Sequence, residues 1–396
     1  MLGLAVAGCD RGGAPDTSLE IPRWTLELEL TYPHNDSAPL STVQDLAVLP
    51  GGRILVSDRD TAPLLRFGPD GAYEGMIGRP GDGVGEITHV IGFGVVGDTI
   101  WVADGALGRL TLFSADGGVI ESTQVLEEAL PGAIPYGRLS DGAALLAIAR
   151  RDSTGRGGAT GGAFFRATPG NPSLLFELET LDRWFVVLPP GTVGTSSRHQ
   201  PFSHYPQFAV SKTGDRIARI DRPAPDSVGA GAFRVRLMAP DGSTTVDTEI
   251  PYAPRALTDE MFDRWIGSVL TEDFIELNIE RGLFRTRGAV YDATVEAVTR
   301  PSYVPPTSNR GSAMRDPAVL LTADGALWLE RWYEPQAPER PWDVLGADGR
   351  RIAWVGVPNT VRLLDVKGEY AWGVVRDEAS NPTIVRLRIR TEPATP

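Results

Sequence analysis

Catalysis or metal binding in this chain would have to draw on few groups, because its 396 residues include only four histidines and one cysteine. Two of the histidines, His89 and His204, stand just ahead of the apolar stretches "VIGFGVV" and "QFAV". Neutral imidazoles beside a carboxylate such as Asp45 suit a divalent ion. Imidazole beside a guanidinium suits an anion instead. Gln44, Tyr136, Arg138, Gln207, Arg315 and Asp316 occupy comparable places at other apolar stretches. A serine nucleophile finds no support. There is no Gly-x-Ser-x-Gly, and "GTSSRH" (Gly194–His199) has no carboxylate partner at a readable spacing.

These residues lie far apart in the chain, so the elements that carry them decide whether they meet. "GGRILVSDRDTAPLLRFGPDG" recurs 46 positions later as "GDTIWVADGALGRLTLFSADG". Ile54, Val56, Asp58, Phe67 and Asp70-Gly71 become Ile100, Val102, Asp104, Phe113 and Asp116-Gly117. Each unit reads as alternating strands separated by turns, the last of them an Asp-Gly turn. A period of 40–50 residues with several short strands is the signature of a propeller blade. Tyr136–Leu178, Phe208–Ile250 and Ala318–Val357 form looser third, fourth and fifth units. Beyond Asn359 only three strand-like runs remain. "RWTLELEL" (Arg23–Leu30) is the economical fourth strand, and it would remove two open edges. The expectation is an all-β, six-bladed β-propeller over residues 23–391, with the N-terminal strand closing the last blade and a tail at 392–396. Between blades four and five, Leu257–Gly282 carries Met261, Phe262, Trp265, Ile266, Val269 and Leu270 on a helical period, with Thr258 as N-cap. It reads as a helical insertion packed on the propeller flank.

"IGRPGDGVGE" (Ile77–Glu86) looks at first like a phosphate cradle. A P-loop, however, ends in Gly-Lys-Ser/Thr and opens a helix, whereas Gly85 precedes Glu86 and no helical period follows. "LLRFGPDGAYEGMIGRPGDGVGEITHV" instead resembles the NHL-type repeat, in which such glycines turn the chain from one blade to the next. Glu86 is expected to bind that loop's backbone. The resemblance is close over residues 42–126 and architectural beyond, and overall the chain resembles bacterial six-bladed NHL-like lipoproteins. NHL-type lyases and six-bladed lactonases hold a metal at the channel mouth, which the resemblance would place among the residues above. Here Pro135 and Pro317 stand where further ligands are needed. No cofactor is therefore expected, and a divalent metal in the channel belongs to the alternative reading. Asp58, Asp60 and Asp104 read as solvated loop acids.

"LAVAGCD" resembles a bacterial lipobox, with Cys9 the lipidated residue and residues 1–22 a signal remnant and tether. Only eight residues precede Cys9 and none is basic, whereas a signal peptide needs a charged start and a longer apolar run. The expectation is that the true start lies upstream or that the leader was trimmed. A net charge of −13, from 51 acidic and 38 basic residues, disfavours nucleic acid, whose binding rests on Lys and Arg. It also keeps the protein body off anionic membranes. The reading is thus a monomeric, extracytoplasmic, lipid-anchored propeller that binds a small molecule or protein at its mouth. Its candidate site is Asp45, His89, Arg138, His204, Gln207, Arg315 and Asp316. The alternative is a metal-dependent hydrolase or lyase acting in the channel.

Overall fold

A computed structural model describes residues 21–391 with interruptions, the longest at 33–39, 125–129, 152–158, 187–195 and 309–316. Residues 1–20, including Cys9, and 392–396 lie outside the described part. Most of the described regular structure is strand. It starts with β1 (Arg23–Tyr32) and continues into a four-stranded sheet of β2 (Val43–Val48), β3 (Ile54–Asp58), β4 (Leu64–Phe67) and β5 (Tyr73–Ile77). A short parallel pair, β6 (Arg79–Pro80) and β7 (Glu86–Ile87), spans the glycine-rich loop. The next sheet contains β8 (Val90–Val96), β9 (Thr99–Asp104), β10 (Arg109–Ser114) and β11 (Val119–Gln124).

The third sheet is β12 (Ile134–Arg138), β13 (Ala144–Arg151), β14 (Ala159–Thr168) and β15 (Asn171–Leu178). A two-stranded excursion follows, β16 (Arg183–Val186) with β17 (Ser196–His199). The fourth sheet is β18 (Gln207–Val210), β19 (Ile217–Asp221), β20 (Gly231–Met238) and β21 (Thr244–Tyr252). The remaining strands form one eight-stranded sheet. One half is β22 (Val319–Leu321), β23 (Leu327–Glu330), β24 (Glu339–Leu345) and β25 (Arg351–Pro358). The other is β26 (Arg362–Lys367), β27 (Tyr370–Arg376) and β28 (Pro382–Thr391), completed by β1.

The N-terminal strand is what makes these two halves a single sheet. β1 runs antiparallel to β28 from Trp24↔Thr391 to Tyr32↔Ile384. It also makes a two-residue parallel contact with β25, Arg23↔Trp354 and Trp24↔Val355. Within this pairing Leu26 faces Ile389 and Leu28 faces Leu387.

Each sheet is apolar on both faces because it packs between two others in a propeller-like arrangement, so β3 buries all five of its residues. Apolar clusters fill each gap in turn. Leu55, Ile77, Phe93 and Phe113 join the first two sheets, and Trp101 and Leu110 reach Ala144 of the third. Phe164, Phe176 and Ile217 bind the third to the fourth, and Val235, Ile250 and Leu327 bind the fourth to β23. Trp328, Val355 and Leu387 fill the eight-stranded sheet. Finally, Val43, Val56, Leu364 and Trp372 return to the first sheet. The buried Trp372 indole donates to Tyr32 Oη at 3.1 Å, tying β27 to β1.

Between β21 and β22 the described residues include the helices Asp259–Val269 and Arg287–Ala297. Thr258 caps the first, its Oγ1 accepting from Met261 N at 3.2 Å, and Asp259 and Glu260 occupy the positive first turn. Met261, Phe262 and Ile266 bury against Phe202, Phe284 and Val304. The helix carries the periodic residues Met261 to Val269, and the backbone leaves helical geometry at Leu270. Among the described residues, no helix is long and apolar enough to cross a membrane.

Candidate functional site

The first strand of each repeat faces the centre of the molecule, and neighbouring first strands touch: β2 with β26 and β8, β8 with β12, and β22 with β18 and β26. Four of these strands carry a bulge at one matching place, at Gln44, Ile91, Tyr136 and Leu364. A bulge adds one residue and re-aims the side chains beside it. The residues just after two of the bulges are Asp45 and Asp365, and both line a central cavity of about 80 Å³. Ile91, Trp101, Tyr136, Ser211, Lys212 and Leu320 also line it.

Lys212 is the cavity's cation. It lies in the turn after β18, and this turn crosses the centre so that Val95 N donates to Lys212 O at 2.9 Å. The approach is close enough to require glycine on the facing strand, since a Cβ at Gly94 would lie 2.1 Å from that carbonyl. The Lys212 ammonium donates to Asp45 and sits over the Phe93 ring, 5.2 Å from its centroid.

Asp365 lies nearby, with Oδ1 accepting from its neighbour Val366 N at 2.8 Å and Oδ2 from Val48 N at 3.1 Å. Burial pushes its carboxyl up to about 6, against the opposing pull of Lys212 and the two N–H groups. The Tyr136 hydroxyl is also held above its ordinary value, first by burial and then by the negative charge of Asp45. The Trp101 indole N–H, on another lining residue, is buried without a partner.

Of the described residues proposed from sequence, the cavity recruits Asp45 and Tyr136. Gln207 is buried, but its amide is used elsewhere: Nε2 donates to Ser308 O at 2.7 Å and Oε1 accepts from Thr307 Oγ1 at 2.8 Å. The buried Arg222 completes that network by donating to Tyr205 O and to Thr307. Burial lowers the Arg222 guanidinium to about 10. His204 points to the same region, its Nε2 3.3 Å from Tyr303 O, and burial keeps its ring below the ordinary histidine value. His89 is exposed; its backbone N–H donates to Asp104 at 3.2 Å. Arg138 ends β12 and does not line the cavity. Arg315 and Asp316 lie outside the described residues. The strand-entry alignment placed His89, His204 and Gln207 too early, because the bulges place the inward-facing side chains at mid-strand. Asp365 was nevertheless detectable, since "QDL" and "LDV" match across the two bulges.

Asp58 and Asp104 are not the solvated loop acids their sequence context implies; they are 4% and 2% exposed. Asp104 accepts from the backbone N–H groups of Thr88, His89, Ala106 and Leu107. Asp58 accepts from Ser41, Thr42 and Asp60 in the same way. Each carboxylate anchors the chain entering its sheet to the end of that sheet's second strand. Such saturation with donors leaves little capacity for a calcium ion.

The glycine-rich loop is built around Glu86. Its carboxylate accepts from Gly83 N at 2.8 Å and from Arg79 Nε at 2.9 Å. Those bonds hold it below the ordinary glutamate value. Gly81 has φ +140°, and a Cβ there would lie 2.2 Å from Glu86 Oε2. The loop is thus a turn organised by an acid, not an anion cradle.

The resemblance implied a metal near the channel mouth, and the described residues that line the cavity do not assemble a ligand set for one. The described ionisable side chains there are Asp45 and Asp365 with the Lys212 ammonium on Asp45, and no three His, Cys, Asp or Glu side chains converge among the described residues. A cation already supplied by Lys212 opposes a second one.

Neither a family model nor a curated protein matches the sequence. Several solved structures are similar in architecture. A member of the DUF4221 family from Bacteroides vulgatus has a TM-score of 0.45 at 11% identity, over 94% of this chain and 100% of that one. A calcium-binding protein, regucalcin, from Agrobacterium tumefaciens has 0.40 at 13%, over 93% and 98%. Virginiamycin B lyase from Staphylococcus aureus has 0.39 at 13%, over 92% and 99%. Likenesses of this size carry no functional argument, and the propeller-like description of this chain rests on its own strand pairing and inter-sheet cores.

Proposed function

We propose that this chain is a six-bladed β-propeller that binds a small polar ligand in its central cavity without turning it over, and is held outside the cytoplasm by a lipid on Cys9. The six-blade count takes the eight-stranded sheet as two blades joined by the short β1–β25 contact. The two helices then lie in an insertion between blades four and five. The observation that carries the binding reading is the Lys212–Asp45 ion pair inside the ring, with the Asp365 carboxyl beside it. One ammonium and two carboxyls offer donors and acceptors at short range. Their balance is neutral to negative, which favours a hydroxyl- or amine-bearing molecule over an anion. Function is expected of a monomer, with no role for nucleic acid.

The test combines elemental analysis of the purified protein with an NMR fragment screen. Metal-free protein that binds polar fragments, with binding lost in Asp45→Asn, supports the reading. A stoichiometric divalent metal together with metal-dependent hydrolysis of lactones would overturn it in favour of a hydrolase. Anchoring has a separate test. With its natural leader, wild type should enter the detergent phase of a two-phase extraction, and Cys9→Ser should remain aqueous. Equal partitioning of the two would exclude the lipid.

A further inference from the structure

A second cavity, about 300 Å³, lies away from the centre, where the end of β21, residues 304–306 and the start of β25 converge. Its polar wall is cationic. Asp343, 3% exposed, is shared by two guanidiniums. Arg331 donates through Nε to Oδ1 at 2.8 Å, and an Arg351 nitrogen lies 3.1 Å from Oδ2. One carboxylate therefore faces two cations. At the rim, Arg255 and Arg264 similarly share Glu334. The Asp343 cluster is left with one uncompensated positive charge, whereas Arg264 also pairs with Glu260 and so balances the rim cluster.

Two donors in this wall have no protein acceptor. The Tyr252 hydroxyl and Arg351 Nε are both buried and unpartnered among the described residues, and both residues line the cavity. A buried donor without an acceptor costs free energy, which a bound acceptor would recover. The remaining walls are apolar and flat. Trp332, with Arg255 stacked 5.1 Å from its ring centroid, faces Pro305, Pro306 and Phe233.

We infer that this cavity binds a small organic carboxylate with a flat apolar body, its carboxylate received by Arg351 and Tyr252 and its body by Trp332 and the Pro305–Pro306 wall. A carboxylate offers in-plane acceptor pairs that match a guanidinium fork. The aromatic and proline surfaces have no use for an inorganic anion. The cavity volume is at the small end of ordinary ligand sites. This inference is independent of the central cavity, with which the second cavity shares no lining residue.

The experiment is calorimetric titration of the full chain with benzoate, indole-3-carboxylate, acetate and inorganic phosphate, each up to about 10 mM. The aromatic acids should bind, with acetate and phosphate weaker by about tenfold or more. Arg351→Met should lower aromatic-acid affinity by about tenfold or more. Because that change also disturbs Asp343, Tyr252→Phe is the companion variant. Its hydroxyl has no partner to lose, so the fold should persist while affinity falls about three- to tenfold. No heat with the aromatic acids would overturn the inference. So would equal affinity for phosphate, or binding that neither variant changes.

Discussion

The ammonium of Lys212 meets the carboxylate of Asp45 inside the ring although 167 positions separate the two residues. Their side chains are 27% and 15% exposed, so the pair is only partly screened by water. Replacing Lys212 with Met would leave two carboxyl groups facing each other with no cation between them. Lys212→Met should destabilise the fold by about 2 kcal/mol at pH 7. It should also raise the Asp365 pKa above about 6, because Lys212 is the main charge holding it down. Urea denaturation and NMR titration of the carboxyl measure the two effects, and an unchanged midpoint would mean that the pair contributes nothing.

Asp365 should impose a pH dependence of defined sign. Its carboxyl titrates near 6 in the folded protein against an ordinary 3.8, so between those values the folded state binds more protons than the unfolded one. Stability is then full below about pH 4 and lost as pH rises through about 6, by on the order of 2 kcal/mol. Lys212 and Asp45 face the same group and shift the window without reversing it. Asp365→Asn cannot titrate and keeps one acceptor oxygen for the two N–H groups of Val48 and Val366, so it should abolish this slope while one of those N–H groups loses its acceptor. A stability curve that rises from pH 4 to 7 in wild type and stays unchanged in the variant would refute the assignment.

Asp104→Ala would strip acceptors from four backbone N–H groups at a buried site. A loss of about 2–4 kcal/mol is expected. Asp104→Asn, which retains one acceptor oxygen, should lose roughly half as much. Hydrogen exchange at Thr88 and Leu107 should accelerate in the alanine variant, and protection equal to wild type would show that these amides are held by something else.

Removing residues 1–30 should open the ring. β28 would lose its antiparallel partner over most of its length, and the link to β25 would vanish. The freed edge would expose Leu387 and Ile389, which are now buried. A fall in melting temperature of about 10 °C or more, with aggregation, is the expected result. A truncated chain melting with the full-length protein would show that closure is dispensable.

The sequence by itself determined the strand content, the repeat of the first two units and the pairing of Arg23–Leu30 with the C-terminal strand. These are local or near-periodic properties: alternation sets the strands, Asp-Gly sets the turns, and Ile54/Ile100 or Phe67/Phe113 recur because successive sheets pack in the same way. The role of Glu86 was also legible, since its backbone partner Gly83 is three residues away. Thr258 capped its helix as read, for the same reason of proximity.

Only the tertiary structure decided which side chains face the centre. Bulges at Gln44 and Leu364 shift the inward positions, and one residue of slip reverses a strand's faces. Asp365 and Lys212 therefore entered the cavity, while Gln207 and His204 turned toward Thr307 and Tyr303. Asp58 and Asp104 read as loop acids because their burial depends on accepting from backbone N–H groups of the chain entering the sheet, 15 to 17 residues upstream, as well as from the local turn. The second cavity was hidden for a related reason. Arg331 and Arg351 become an excess of positive charge only where packing brings both to the single carboxylate of Asp343.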